Sequence, residues 1–123
     1  MRLWLFLAAV NGGLSVVFGA FAAHLLKARL SAEALSLVET GARYQMYHAL
    51  ALLAVAWLAA RSGSAGGLVG FAGGAFVFGI VVFCGALYAL GLTGIRRFGL
   101  LAPVGGTALI LGWIALAVAA LRG

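Results

Sequence analysis

The feature that most constrains this chain is its long stretches without a charged side chain. Four of them take up most of the sequence: residues 3–26, 44–60, 62–95 and 98–121. A helix needs about 20 residues to cross the hydrocarbon core of a bilayer, with roughly 17–25 in use. Composition closes the alternative. Hydrophobic residues make up 66% of the 123 and charged residues 8%, against about 45–50% apolar in soluble domains. A chain this small is mostly surface when folded, and water requires that surface to be polar. Eight Lys/Arg, two Asp/Glu and two His cannot supply it. A soluble enzyme, a disordered chain and a disulfide-built secreted domain are excluded, and an integral membrane protein is predicted.

The third run is too long for one span. It opens with SGSAGG at residues 62–67, a turn signal, so its helix is expected at 68–92, closed by Thr93-Gly94. The fourth carries the only proline, Pro103, in its first turns, where a missing N–H costs little. The spans are therefore expected at about 3–26, 43–60, 68–92 and 98–121, forming a single all-α membrane domain, a compact up-down bundle of four transmembrane helices. Residues 27–40 differ from their surroundings. They hold both acidic residues, offer Ser31 as an N-cap, and give a partial apolar face from Leu30, Ala34, Leu35, Leu37 and Val38. They predict a short amphipathic interfacial helix in the first loop. The start of the chain, Arg2 followed by LWLFLAAV and then Ala20-Phe21-Ala22, imitates a signal peptide with its cleavage site. The apolar run is longer than such a peptide uses, and it is read as an uncleaved first helix.

Small residues recur along the spans. Gly66, Gly70 and Gly74 are spaced by four, with Gly73 and Gly85 beside them; the first helix offers Gly12 and Gly19, and the last Gly105 and Gly112. No hydrophobic force drives helices together in lipid, so such residues mark close backbone approach, within the chain or between copies or other membrane proteins. The net charge of +6 would suggest nucleic acid in a soluble chain. Here the cations are scattered between apolar runs, which fits anchoring to lipid and attraction to anionic head groups instead. Lys27, Arg29, Arg43, Arg96 and Arg97 fall in the first and third loops, against Arg2, Arg61 and Arg122 elsewhere. That distribution favours both termini outside the cytoplasm.

Polar side chains within spans are expensive and default to a functional hypothesis. The candidate cluster is Asn11, Ser15, His24, Glu39, Arg43, Tyr44, Gln45, His48 and Tyr88. Glu39 and Arg43 are four apart with the acid first, the favourable order for a helical pair. The first two helices should pack as antiparallel neighbours, bringing His24 beside Arg43, Tyr44 and His48, with His48 the more buried and mainly neutral. Its ring could be satisfied by a carbonyl, a tyrosine or Glu39; could handle a proton or ligand; or could join a metal or haem site. Two histidines alone make a weak metal signal, and neither metal nor cofactor is expected. Tyr44, Tyr47, Trp4, Trp57 and Trp113 read as interfacial or lipid-facing aromatics. No aspartate, no carboxylate pair, no base beside Cys84 and no phosphate loop are present. No enzyme is expected. Two functions stay open: a non-enzymatic scaffold or accessory subunit, and an oligomeric small-solute transporter or channel using the polar cluster of the first two helices.

Four strings bring a resemblance: GAFAAHLLKARL (residues 19–30), ETGARYQMYHALALL (39–53), FCGALYALGLTG (83–94) and APVGGTALILGW (102–113). In this order and spacing they resemble the small multi-pass membrane proteins known as domain of unknown function 423, which include transmembrane-protein-256-like relatives. The family-like positions include Gly19, His24, Tyr44, Gln45, His48, Gly85, Tyr88, Pro103, Gly105, Gly106 and Trp113. The resemblance implies four transmembrane helices and, in bacteria, the inner membrane. It implies no activity, so no catalytic residue is carried over.

Overall fold

The computed structural model describes residues 1–61 and 66–122, and the turn expected at residues 62–67 lies largely outside them. The described residues are helical almost throughout. Helix α1 spans Arg2–His24 and α2 spans Ala32–Arg61. Helix α3 runs over Gly66–Thr93 with a π-helical turn at Ile80–Cys84. A 3₁₀ lead-in at Arg96–Leu101 opens α4, Ala102–Arg122.

Local chemistry sets the ends. Ser31 Oγ accepts the Ala34 N–H at 3.1 Å, the N-cap its sequence position suggests. Gly94 ends α3 in the left-handed region at φ 73°, donating its N–H to the Leu90 carbonyl, a conformation that a side chain would strain. Pro103 stands second in α4, where its absent N–H interrupts nothing.

One expectation is corrected here. Residues 27–40 do not form a separate interfacial helix: after a single 3₁₀ turn at Leu26–Ala28, α2 starts at Ala32 and continues unbroken to Arg61. The charges at Glu39 and Arg43 lie on its exposed side, so they give the helix no reason to stop. The same residues alter the count of spans. Among the described residues three helices, α1, α3 and the α4 rod from Arg96, are long and apolar enough to cross a membrane. Helix α2 is long enough, but the polar residues from Arg43 to His48 make it less apolar than the other three.

Side-chain pairs give the topology. Gly12 faces Ala49 and Gly19 faces Ala42, so α1 and α2 run antiparallel along their lengths. Phe76 fits against Gly112 and Phe83 against Gly105, so α3 and α4 are antiparallel too. Trp4 covers Gly73, and Phe18 stacks on Tyr88 with centroids 4.0 Å apart, so α1 and α3 are parallel. The result is an up-down-up-down bundle in which α2 and α3 meet centrally, flanked by α1 and α4. Its core holds Phe76, Leu52, Val38, Val55, Val69 and Cys84. Outside, Leu3, Phe6, Val16, Val17, Val81, Ile110 and Ile114 are all more than half exposed. That is a surface for lipid, since water would drive such patches together.

Glycine does the close packing, though not where the stripe of four-residue spacing places it. A Cβ at Gly70, Gly74 or Gly85 would meet nothing within 4 Å. The tight positions are Gly105, where it would strike the Phe83 backbone, Gly79 against Leu109, Gly91 against the Ala34 carbonyl at 2.9 Å, Gly112 against Phe76 at 2.6 Å, and Gly41 and Gly73, each 2.7 Å from an aromatic ring. Gly12 and Gly19 make ordinary contacts at 3.9 Å. The stripe misleads because a glycine stripe on a helix can face lipid as easily as a neighbour.

The π turn explains the shape of α3. Phe76, Ile80, Cys84 and Tyr88 are all buried at steps of four. In a plain α-helix each step of four overshoots a full turn by about 40°, so three steps would swing the stripe off the core. One extra residue in the wide turn absorbs that drift, and the stripe stays buried throughout.

Candidate functional site

Three polar residues from three helices join inside the bundle. Tyr88 on α3 donates its hydroxyl to Gln45 Oε1 at 2.7 Å. Gln45 on α2 donates Nε2 to Asn11 Oδ1 at 3.0 Å, and Asn11 on α1 donates Nδ2 to the Leu7 carbonyl at 2.9 Å. Gln45 is 4% exposed. Gly41 makes the ladder possible: Tyr88 lies flat over it, and a Cβ there would sit 2.7 Å from the ring. Every side-chain nitrogen and oxygen of the three residues has a partner within the ladder or at the Leu7 carbonyl, so the ladder is closed at both ends.

A turn further along α2, His48 is 5% exposed and forms a second link. The Trp113 indole donates to His48 Nε2 at 3.1 Å. An indole can only donate, so Nε2 carries the lone pair and Nδ1 the proton, which goes to the Tyr44 carbonyl at 2.7 Å. The ring is therefore neutral and fixed in one tautomer. Phe76 and Trp113 pack against it, with centroids 5.6 and 5.9 Å away.

The other expected members do not join. His24 is exposed at the end of α1, away from His48. Arg43 is exposed and donates to the Thr40 hydroxyl at 3.2 Å rather than to Glu39; side chains three apart on a helix meet as readily as those four apart. Ser15 is buried but satisfied locally, donating to the Gly12 carbonyl at 2.8 Å. Tyr44 contributes its backbone carbonyl to His48, while its ring leans on Phe83. Among the described residues no buried side-chain nitrogen or oxygen lacks a partner, and no three of His, Cys, Asp and Glu cluster as a metal site.

Sequence reasoning took Trp113 for a belt aromatic and missed its bond to His48. It also missed Gly41, Gly79 and Gly91. A signal for the α2 face was present: Val38, Gly41, Gln45, His48, Leu52 and Val55 recur at steps of three or four, and all are buried.

On the open side of the His48–Trp113 link lies a groove of about 580 Å³ between α2 and α4, lined by Tyr44, Tyr47, His48, Phe83, Gly106, Leu109, Ile110 and Trp113. A smaller hollow at Ser15, Gly19, Glu39 and Arg43 lies between α1 and α2.

Comparison with known proteins gives a family and no solved structure. A family described as "Protein of unknown function (DUF423)" matches residues 18–106. The UPF0382 membrane protein YwdK of Bacillus subtilis is 42% identical over 122 residues, covering 99% of this chain and 98% of that one. A UPF0382 membrane protein of Staphylococcus epidermidis is 41% identical over the same span and coverage. One from Haemophilus influenzae is 42% identical over 114 residues, 93% of this chain and 90% of that one. No solved structure matches.

Proposed function

We propose that this chain, which belongs to the DUF423 family of membrane proteins, is a non-enzymatic four-span bundle of the bacterial inner membrane that serves as a scaffold or accessory subunit. The fourth crossing is α2. It lies antiparallel along α1, and two of its polar side chains, Gln45 and His48, turn inward to Asn11, Tyr88 and Trp113. Both termini lie outside the cytoplasm, because Lys27, Arg29, Arg96 and Arg97 gather at one end of the bundle, with Arg43 exposed on the nearer half of α2. At the other end Arg61 lies over the Trp57 ring at 4.7 Å, an interfacial anchor.

The observation that carries the reading is the closed ladder of Asn11, Gln45 and Tyr88. A transport path needs polar groups that can be lent to a passing solute, and these are spent on one another. What remains for function is the lateral surface, rich in exposed apolar residues and open small ones such as Gly70 and Gly74. The test is flux of ions and small solutes into proteoliposomes holding the purified protein, paired with crosslinking in native membranes. No flux above empty vesicles, together with a stoichiometric membrane-protein partner, supports the scaffold. Solute-specific flux abolished by Gln45→Leu overturns it.

A further inference from the structure

The groove between α2 and α4 has a chemistry of its own, separate from the closed ladder. At about 580 Å³ it falls in the ~300–1,000 Å³ range of small-molecule sites. Its walls are aromatic, formed by Tyr44, Tyr47, His48, Phe83 and Trp113, and Leu109 and Ile110 extend them with aliphatic surface. No charged side chain lines it. Its floor cannot bond a guest: both His48 nitrogens and the Trp113 N–H are already engaged. The free polar groups are two, the hydroxyls of Tyr44 and Tyr47, which have no hydrogen-bond partner among the described residues although both rings are held by aromatic neighbours. On α2 they flank His48 on its N-terminal side, and Trp113, which bonds His48, lies halfway along α4.

A guest that matches this lining is uncharged and lipid-soluble. It carries a flat ring to slot between aromatic faces, a carbonyl to accept from a tyrosine hydroxyl, and an apolar tail to follow Leu109 and Ile110. We propose that the groove is a binding site for a membrane-dissolved ring compound of quinone type, held by Tyr44 and Tyr47 at its head and by Trp113 beside its ring. Charged head groups are disfavoured, because no countercharge lines the groove. A bare acyl chain would leave both hydroxyls unused. The site stands independently of the scaffold reading.

Quinones quench tryptophan fluorescence on contact, so Trp113 reports on its own site. Two full-length proteins in nanodiscs are compared: Trp4→Phe/Trp57→Phe, which keeps Trp113, and Trp4→Phe/Trp113→Phe, which keeps Trp57 as a lipid-facing reference. A decyl-substituted benzoquinone is titrated into each. The expected result is saturable quenching of Trp113 over a linear, partition-like response of Trp57. In the Trp113 reporter, Tyr44→Phe should weaken the apparent affinity several-fold while leaving the ring contacts in place. Gly106→Leu should abolish saturation. A Cβ at Gly106 meets only the Phe83 ring, at 3.6 and 3.8 Å, so the bulk enters the groove rather than the core. Equal, linear quenching of both tryptophans overturns the proposal. So does stronger quenching of Trp113 by a brominated-acyl phosphatidylcholine with no saturable quinone component, which would make the occupant ordinary lipid.

Discussion

Removing Gln45 tests whether the buried ladder holds three helices together. Gln45→Leu keeps the volume close to native but severs both links across helices, to Tyr88 at 2.7 Å and to Asn11 at 3.0 Å. Hydrogen bonds between helices in membranes contribute about 0.6 kcal/mol on average and about 1.7 at most. Two of them give about 1–3 kcal/mol. The Tyr88 hydroxyl, on a residue 9% exposed, is also left without an acceptor, which adds about 1 kcal/mol or more. Gln45→Leu should therefore destabilise the protein by about 2–4 kcal/mol. Tyr88→Phe alone removes one donor and should cost about 1 kcal/mol. The double variant no longer strands a hydroxyl, so its loss should fall short of the sum by about 1 kcal/mol. Unfolding in mixed micelles with increasing SDS, followed by circular dichroism, gives all three numbers. Independent sites add within about 0.3–0.5 kcal/mol. A coupling inside that margin would refute the ladder as a load shared by three helices.

His48→Ala should destabilise the bundle by about 1–3 kcal/mol by leaving the Trp113 indole without an acceptor, whereas Glu33→Ala, on an exposed residue, should leave the melting temperature in detergent unchanged; equal shifts would remove His48 from the structural centre. Gly105→Ala should lose about 2 kcal/mol or fail to assemble, because its Cβ meets backbone that cannot move aside. Gly70→Ala and Gly74→Ala should be neutral or gain up to about 1 kcal/mol from helix propensity, and a loss there as large as at Gly105 would place a neighbour on that face. A phosphatase fused after the last residue should be active outside the cytoplasm, and activity confined to the cytoplasm would invert the topology.

The membrane class and three of the helices were legible because the bilayer imposes a length, and length can be read off uncharged runs. The first loop was not. A pair of charges at Glu39 and Arg43 looks like a break between an interfacial helix and a span, yet both side chains simply face outward from one continuous α2. The ladder was half legible. Asn11, Gln45 and Tyr88 stood out as polar residues in apolar runs, but pairing them required knowing that α1 and α3 run parallel on either side of α2. Trp113 was invisible as a partner because an exposed tryptophan at a bilayer depth unknown from sequence resembles any belt aromatic. Gly91 was hidden by the π turn, which shifts the buried face of α3 beyond it away from the period that a straight helix would keep.

That turn works like a vernier between two scales. Ahead of it, α3 is meshed with α4 through Phe76 and Gly79; beyond it, α3 is meshed with α2 through Tyr88 and Gly91. The surplus residue sets the phase between the two engagements. Winding the same residues into regular turns, with none removed, would rotate the part beyond by about 100° and carry Tyr88 away from Gln45. The two hairpins would then be cut to different keys, each still able to close on itself and neither able to lock the other.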